Sequence, residues 1–229
     1  MADSAAKKRK RVEPSAAPSI SGKSSSAKPS KKVKAVKSVV QEKDDPQAQI
    51  LLLESQILES KKNYNNIATL LTLCQKKKSS EGSNVTAAVA LCRVFCRLMA
   101  GERMIKTQGM SDADLEAVDW LKNAFKEYIA VLCSLLAADE LQSTTLTLLM
   151  RLVKEELQQE GQRAEQAWRN GVFAALVRAL VEEDEAEGAR EEFVAKFVEE
   201  HDDVRYFTFY HIAYVTRPTS ELFSTDLVV

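Results

Sequence analysis

From residue 45 onward, apolar residues recur every three or four positions, the period of a helix with one buried face. Ile50, Leu53 and Ile57 form the first stripe, behind Asp45 as cap and Pro46 as first helical residue. A second stripe over about 63–75 runs through Ile67, Leu70, Leu71 and Cys74, and a polar loop over 76–83 follows. The third, about 84–100, carries Leu91, Val94, Phe95 and Leu98 and stops at Gly101. Ser111-Asp112-Ala113-Asp114 has the form of a capping box, and the long helix behind it carries Leu115, Val118, Phe125, Ile129, Leu132 and Leu136. A fifth helix, about 140–158, carries Leu141, Thr145, Leu148, Leu149, Leu152 and Val153. A sixth, about 164–181, carries Val172, Phe173, Leu176, Val177 and Leu180. A shorter seventh carries Phe193, Val194, Phe197 and Val198. The eighth, about 203–216, is apolar on nearly every side, with Phe207, His211 and Tyr214 on one face and Tyr206, Phe209 and Tyr210 on another.

No run alternates apolar and polar residues around a hairpin turn, so no sheet is expected. Between Pro46 and Pro218 lie 171 residues without proline, which suits helix throughout. The body's glycines fall between the apolar stripes, where helix ends belong, with Gly171 as the exception. Helix pairs recur at intervals of 45–50 residues, with starts near 63, 112 and 164. That is close to the HEAT and armadillo spacing of about 40–47. The expected fold is therefore all-α, an irregular HEAT/armadillo-like solenoid, with an all-α bundle as the plainer alternative.

Charge divides the chain in two. Residues 1–41 carry 11 basic and 2 acidic side chains, whereas residues 42–229 carry 21 basic and 31 acidic ones. A basic arm is joined to an acidic body. The arm, 1–44, is rich in Ser, Ala, Lys and Pro and lacks aromatic residues, so it is expected to be disordered. Within it, Lys7, Lys8, Arg9, Lys10 and Arg11 form five consecutive cations, the pattern that suits a nuclear-import receptor. Lys31, Lys32, Lys34 and Lys37 form a second cluster that can extend the signal or touch RNA phosphates.

Other chemistry is sparse. Cys74, Cys92, Cys96 and Cys133 are too scattered for a disulfide framework and read as reduced intracellular thiols. Cys92 and Cys96 share a helix face, but His201 and His211 are the only histidines and lie far off, so no metal is expected. No P-loop, Gly-x-Gly-x-x-Gly or nucleophile–histidine–acid pattern appears. Residues 182–203 hold 11 carboxylates against Arg190 and Lys196, a density typical of a solvated face. Trp120 and Trp168 have acidic neighbours and suit packing or a protein contact rather than base stacking. The longest charge-free stretch in the apolar parts, 128–138, falls short of the roughly 20 residues of a spanning helix, so no membrane is expected. A non-enzyme without cofactor follows.

Several segments carry a resemblance in order. They are Asn66-Ile-Ala-Thr-Leu-Leu-Thr-Leu, Ala90-Leu-Cys-Arg-Val-Phe-Cys-Arg-Leu, the long helix over 120–136, Thr144-Thr-Leu-Thr-Leu-Leu-Met-Arg-Leu-Val, Asn170-Gly-Val-Phe-Ala-Ala-Leu-Val-Arg-Ala-Leu and Asp203-Val-Arg-Tyr-Phe-Thr. Over about 45–216 the chain resembles the N-terminal region of the nucleolar complex protein four family, within the wider CCAAT-binding-factor/Mak21 group. The resemblance implies a non-catalytic helical-repeat scaffold of the nucleolus, acting in maturation and export of the small ribosomal subunit within the small-subunit processome. It implies the partner Nop fourteen, whose contact lies in a C-terminal domain with no counterpart here. The group's name also leaves open a nuclear interaction module in transcription or chromatin.

The expected organisation is a basic tail over 1–44, a helical-repeat domain over 45–217 and an extension over 218–229 leading to a missing domain. Leu222, Phe223, Leu227, Val228 and Val229 leave that end apolar, where a solenoid normally closes with a polar cap. Tyr206, Phe209 and Tyr210 are the candidate protein-contact surface. Nucleus and nucleolus are the expected location, with an import receptor, ribosome-assembly proteins and pre-rRNA as partners.

Overall fold

The computed structural model describes residues 45–76 and 82–215, all within one compact unit. Nine α-helices fill this range: α1 Pro46–Glu59, α2 Asn66–Gln75, α3 Ser83–Ala100, α4 Asp112–Leu135, α5 Gln142–Glu160, α6 Ala164–Asn170, α7 Val172–Glu182, α8 Glu187–Phe193 and α9 Asp202–Val215. No strand occurs among the described residues. The loop expected over 76–83 ends earlier, since Ser83 already begins α3, and residues 77–81 lie outside the described range.

Local chemistry explains the helix starts. The Gln47 backbone N–H donates to Asp45 Oδ1 at 2.9 Å, with Pro46 in the first turn. Ser111 caps α4, its hydroxyl accepting from the Asp114 N–H at 3.2 Å and donating to the Asp114 carboxylate at 2.9 Å. Asp114 also meets Lys61 at 3.0 Å, which ties α4 to the turn before α2 and holds the carboxyl below its ordinary range. At the end of α3 the left-handed residue is Glu102 (φ 54°) rather than Gly101. The Arg103 N–H then closes onto Leu98 O at 2.9 Å.

The helices stack in two rows. α1 packs on α3, α3 on α5 and α5 on α8; α2 packs on α4, α4 on α7 and α7 on α9. This is the helix-pair solenoid expected from the repeat spacing. The core between the rows is apolar and aromatic. Phe95 lies 5.0 Å from Phe125 and 5.5 Å from Tyr128, ring centre to ring centre. Buried Tyr128 gives its hydroxyl proton to Ala88 O at 2.6 Å, and burial pushes its ionisation well above the ordinary range. α3 is the one described helix long and apolar enough to match a membrane span, and most of it is buried inside the protein.

Two expectations change. The sixth helix is not continuous: it breaks at Gly171 into α6 and α7. There the Glu156 carboxylate reaches in from α5 to accept the Val172 N–H at 2.8 Å. A side chain at position 171 would put its Cβ 2.2 Å from Glu156 Oε2 and 2.5 Å from Ala167 O, so only glycine fits. The seventh helix is also shorter than its apolar stripe. α8 loosens at Val194 into a π-turn over Val194–Val198, which leaves Val194 exposed while Phe197 and Val198 pack on the core.

Candidate functional site

α9 builds the candidate protein-contact surface. Its inner face carries Val204, Phe207, Thr208 and His211. Trp168 of α6 stacks flat on Phe207 (5.0 Å between ring centres, 5° between planes) and meets Phe173 of α7 edge-on at 4.7 Å. His211 Nε2 lies 2.8 Å from Trp168 O and donates to it. One indole from α6 thus packs against both α7 and α9 and ties the last described helix to the stack.

The outer face of α9 is the expected surface. Tyr206 is 60% exposed, Phe209 61% and Tyr210 37%. Tyr214 was expected to share a face with Phe207 and His211. It is instead 56% exposed. Tyr206, Tyr210 and Tyr214 are spaced four apart, so they line one stripe with Phe209 at its side. The guanidinium of Arg169 sits 4.4 Å over the Tyr210 ring and is fixed from its other side by Glu165 at 2.8 Å. Such a patch of rigid rings with one cation resembles the energetic centre of protein interfaces, where Tyr and Arg are enriched.

Arg205, the cation beside these rings, is committed elsewhere. It donates to Val198 O and Glu199 O at 3.2 Å and pairs with Asp202 at 3.1 Å. It closes the turn into α9 and is not offered to a phosphate. Arg190 does the same at the previous turn, donating to the carbonyls of Leu180, Glu183 and Asp184.

Of the other site residues named from sequence, Lys7, Lys8, Arg9, Lys10, Arg11, Lys31, Lys32, Lys34 and Lys37 lie outside the described residues. The four cysteines are free thiols. Cys96 is pulled down by hydrogen bonds from Cys92 and Arg151 against its burial, while Cys92 is pushed up by that bond and by burial. Burial raises Cys74 and Cys133 to about 11. No group of three His, Cys, Asp or Glu positioned to hold a metal occurs among the described residues. Trp120 is 36% exposed on α4, away from α9.

Sequence reasoning missed two carboxylates, Glu54, which is buried, and Glu156, which is half-buried. Glu54 of α1 lies in the core, bound bidentately by Arg93 of α3 at 2.8 and 2.5 Å. Glu156 is raised to about 7, chiefly by burial, with Glu160 adding to the effect and the Val172 N–H opposing it. The only sequence signal for the second was Gly171, the glycine out of place.

With this geometry in view, the comparisons with known proteins are informative. No solved structure matches. An uncharacterized protein of Schizosaccharomyces pombe is 27% identical over 179 residues, 76% of this chain and 36% of its own length. The chain thus spans little more than a third of that relative. A family model described as nucleolar complex protein 4-like, TPR repeats, matches residues 40–221, the whole of the helical stack. By that match the chain belongs to the nucleolar complex protein 4-like family.

Proposed function

We propose that this chain is a non-catalytic scaffold for ribosome assembly in the nucleolus, contributing to the small-subunit processome and to maturation and export of the small subunit. The observation that carries the reading is membership of a nucleolar complex family over residues 40–221, on a stack whose last described helix turns four aromatic rings to solvent. The stack is the rigid part, and the α9 surface of Tyr206, Phe209 and Tyr210 is its contact for a ribosome-assembly protein. The tail over 1–44 supplies import through Lys7–Arg11 and a salt-sensitive contact to pre-rRNA through Lys31, Lys32, Lys34 and Lys37. The contact to a Nop fourteen-like partner is assigned outside the helical stack.

The test is to tag the chain, express it in its own kind of cell and identify what co-purifies after RNase treatment. Recovery of small-subunit processome proteins is expected, and Tyr206→Ser with Phe209→Ser should abolish it without unfolding the chain. Association with chromatin that survives RNase, with no pre-ribosomal protein recovered, would overturn the reading in favour of a transcription module. Nucleolar accumulation that persists after Lys7–Arg11 are replaced by alanine would remove the import assignment.

A further inference from the structure

A groove of about 1020 Å³ lies between α4 and α7, with the end of α5 also lining it. It does not touch α9. Its floor is apolar, with Phe125 and Ile129 from α4 and Ala175 from α7. The α4 side presents Lys122 and Lys126, four apart and exposed. The opposite side presents Glu156 and Glu160 from α5, Glu182 at the end of α7 and Glu183 just after it, with Arg163 and Arg178 interleaved. Among the described residues none of these charges is in an ion pair.

Shape and chemistry narrow the occupant. Small-molecule sites enclose their ligand, whereas this space lies open along two helices. On the wall facing Lys122 and Lys126, Glu156, Glu160, Glu182 and Glu183 outnumber Arg163 and Arg178, and the net negative charge disfavours a nucleic-acid backbone there. Helical walls spend their backbone groups internally, so an extended peptide would find no edge on which to pair its own N–H and C=O groups. A helix brings those groups already paired, and needs only an apolar stripe and suitable flanks.

We propose that the α4–α7 groove seats an amphipathic helix of a partner protein, its apolar stripe on Phe125, Ile129 and Ala175, its carboxylates along Lys122 and Lys126, and its cations along Glu182 and Glu183. Two walls of unlike charge select a bipolar helix over one flanked by a single sign, which is specificity by mismatch as well as by attraction. The assignment is independent of the nucleolar reading and of the α9 surface.

The test uses the full chain and three fluorescent helices of about 18 residues, some 27 Å long. All share one leucine stripe; one carries Glu on one flank and Lys on the other, one Glu on both, one Lys on both. Anisotropy titration is expected to give the bipolar helix at least about tenfold tighter binding than either other, or 1.4 kcal/mol. Lys122→Glu with Lys126→Glu, a surface change, makes both walls acidic and should transfer the preference to the Lys-flanked helix. Ala130→Trp, at an exposed position in the groove, should block all three, with circular dichroism verifying the fold. Equal binding of the three, an unchanged preference after charge reversal, or no binding at about 100 μM would overturn the proposal. So would a uridine-rich oligonucleotide that displaces the bipolar helix and is itself lost on reversal, which would assign the groove to RNA.

Discussion

Replacing Gly171 by alanine should destabilise the chain by about 2–4 kcal/mol. The backbone there is extended (φ −91°, ψ −155°), so no left-handed strain is involved and the cost is one of space. The new Cβ would stand 2.2 Å from Glu156 Oε2 and 2.5 Å from Ala167 O. The first contact is relieved only by swinging Glu156 off the Val172 N–H, a charge-assisted bond at 2.8 Å. Losing it costs about 1.5–3 kcal/mol. The second contact is with backbone that itself accepts the Gly171 N–H at 2.8 Å, so relief there shifts the α6–α7 junction, in the usual overpacking range of about 1–3 kcal/mol. Against these, alanine reduces the freedom of the unfolded chain, worth about 0.4–1 kcal/mol. Thermal and urea unfolding followed by circular dichroism are the assays, and at about 2–4 °C per kcal/mol the melting point should fall by about 5–15 °C. The mechanism is checked by repeating the substitution in a Glu156→Ala background. With the carboxylate gone, the added cost of Gly171→Ala should shrink by about 1–2 kcal/mol. A loss below about 1 kcal/mol in the parent, or strict additivity in the pair, would refute the reasoning.

Three further outcomes are expected. Glu156, raised to about 7 from an ordinary 4.5, binds its proton more tightly folded than unfolded, so stability should fall as pH rises from about 4.5 to 7; Glu156→Gln should flatten that slope, by about 1–3 kcal/mol across the window. Asp114 and Glu192 are shifted the other way, by Lys61 and Lys196 respectively, and act below that window. Arg93→Leu should cost about 2–4 kcal/mol by stranding the buried Glu54, whereas Glu54→Leu with Arg93→Leu should restore most of it; equal losses in chemical denaturation would show that the pair itself, not the stranded charge, matters. Glu102→Gly should raise stability by about 1 kcal/mol in the same assay, because φ 54° favours glycine; an unchanged midpoint would deny strain at that turn.

Much of this stack is legible in its sequence because burial repeats with the helical period. Ile67, Leu70, Leu71 and Cys74 were read as one face and are all buried, as are Leu91, Val94, Phe95 and Leu98. Caps at Asp45 and Ser111 were legible because they depend on two or three adjacent residues. What escaped depends on partners distant in sequence. Glu54 looks like a solvated acid until Arg93, 39 residues away, is placed beside it. The break at Gly171 comes from Glu156 of the preceding helix, and periodicity alone continues smoothly across it. Of the candidate surface, the outward rings of α9 are readable as surplus aromatic content, but which ring faces inward depends on Trp168, distant in sequence, stacking on Phe207. The α4–α7 groove left no sequence signature, since its walls come from residues up to 61 positions apart, Lys122 to Glu183.

The two-row stack also governs how the molecule comes apart. Among the described helices its main packing runs between neighbouring pairs, α1 on α3, α3 on α5 and α5 on α8. Such an array melts like a short one-dimensional chain, losing end units before central ones. Amide exchange should therefore be graded, slowest near α3 and α5 and fastest in α9. A protein seated on the rings of α9 would act as an added unit of the stack, slowing exchange most in α9 and progressively less toward α1. Occupancy at one end would thus be readable as a gradient of protection along the whole stack.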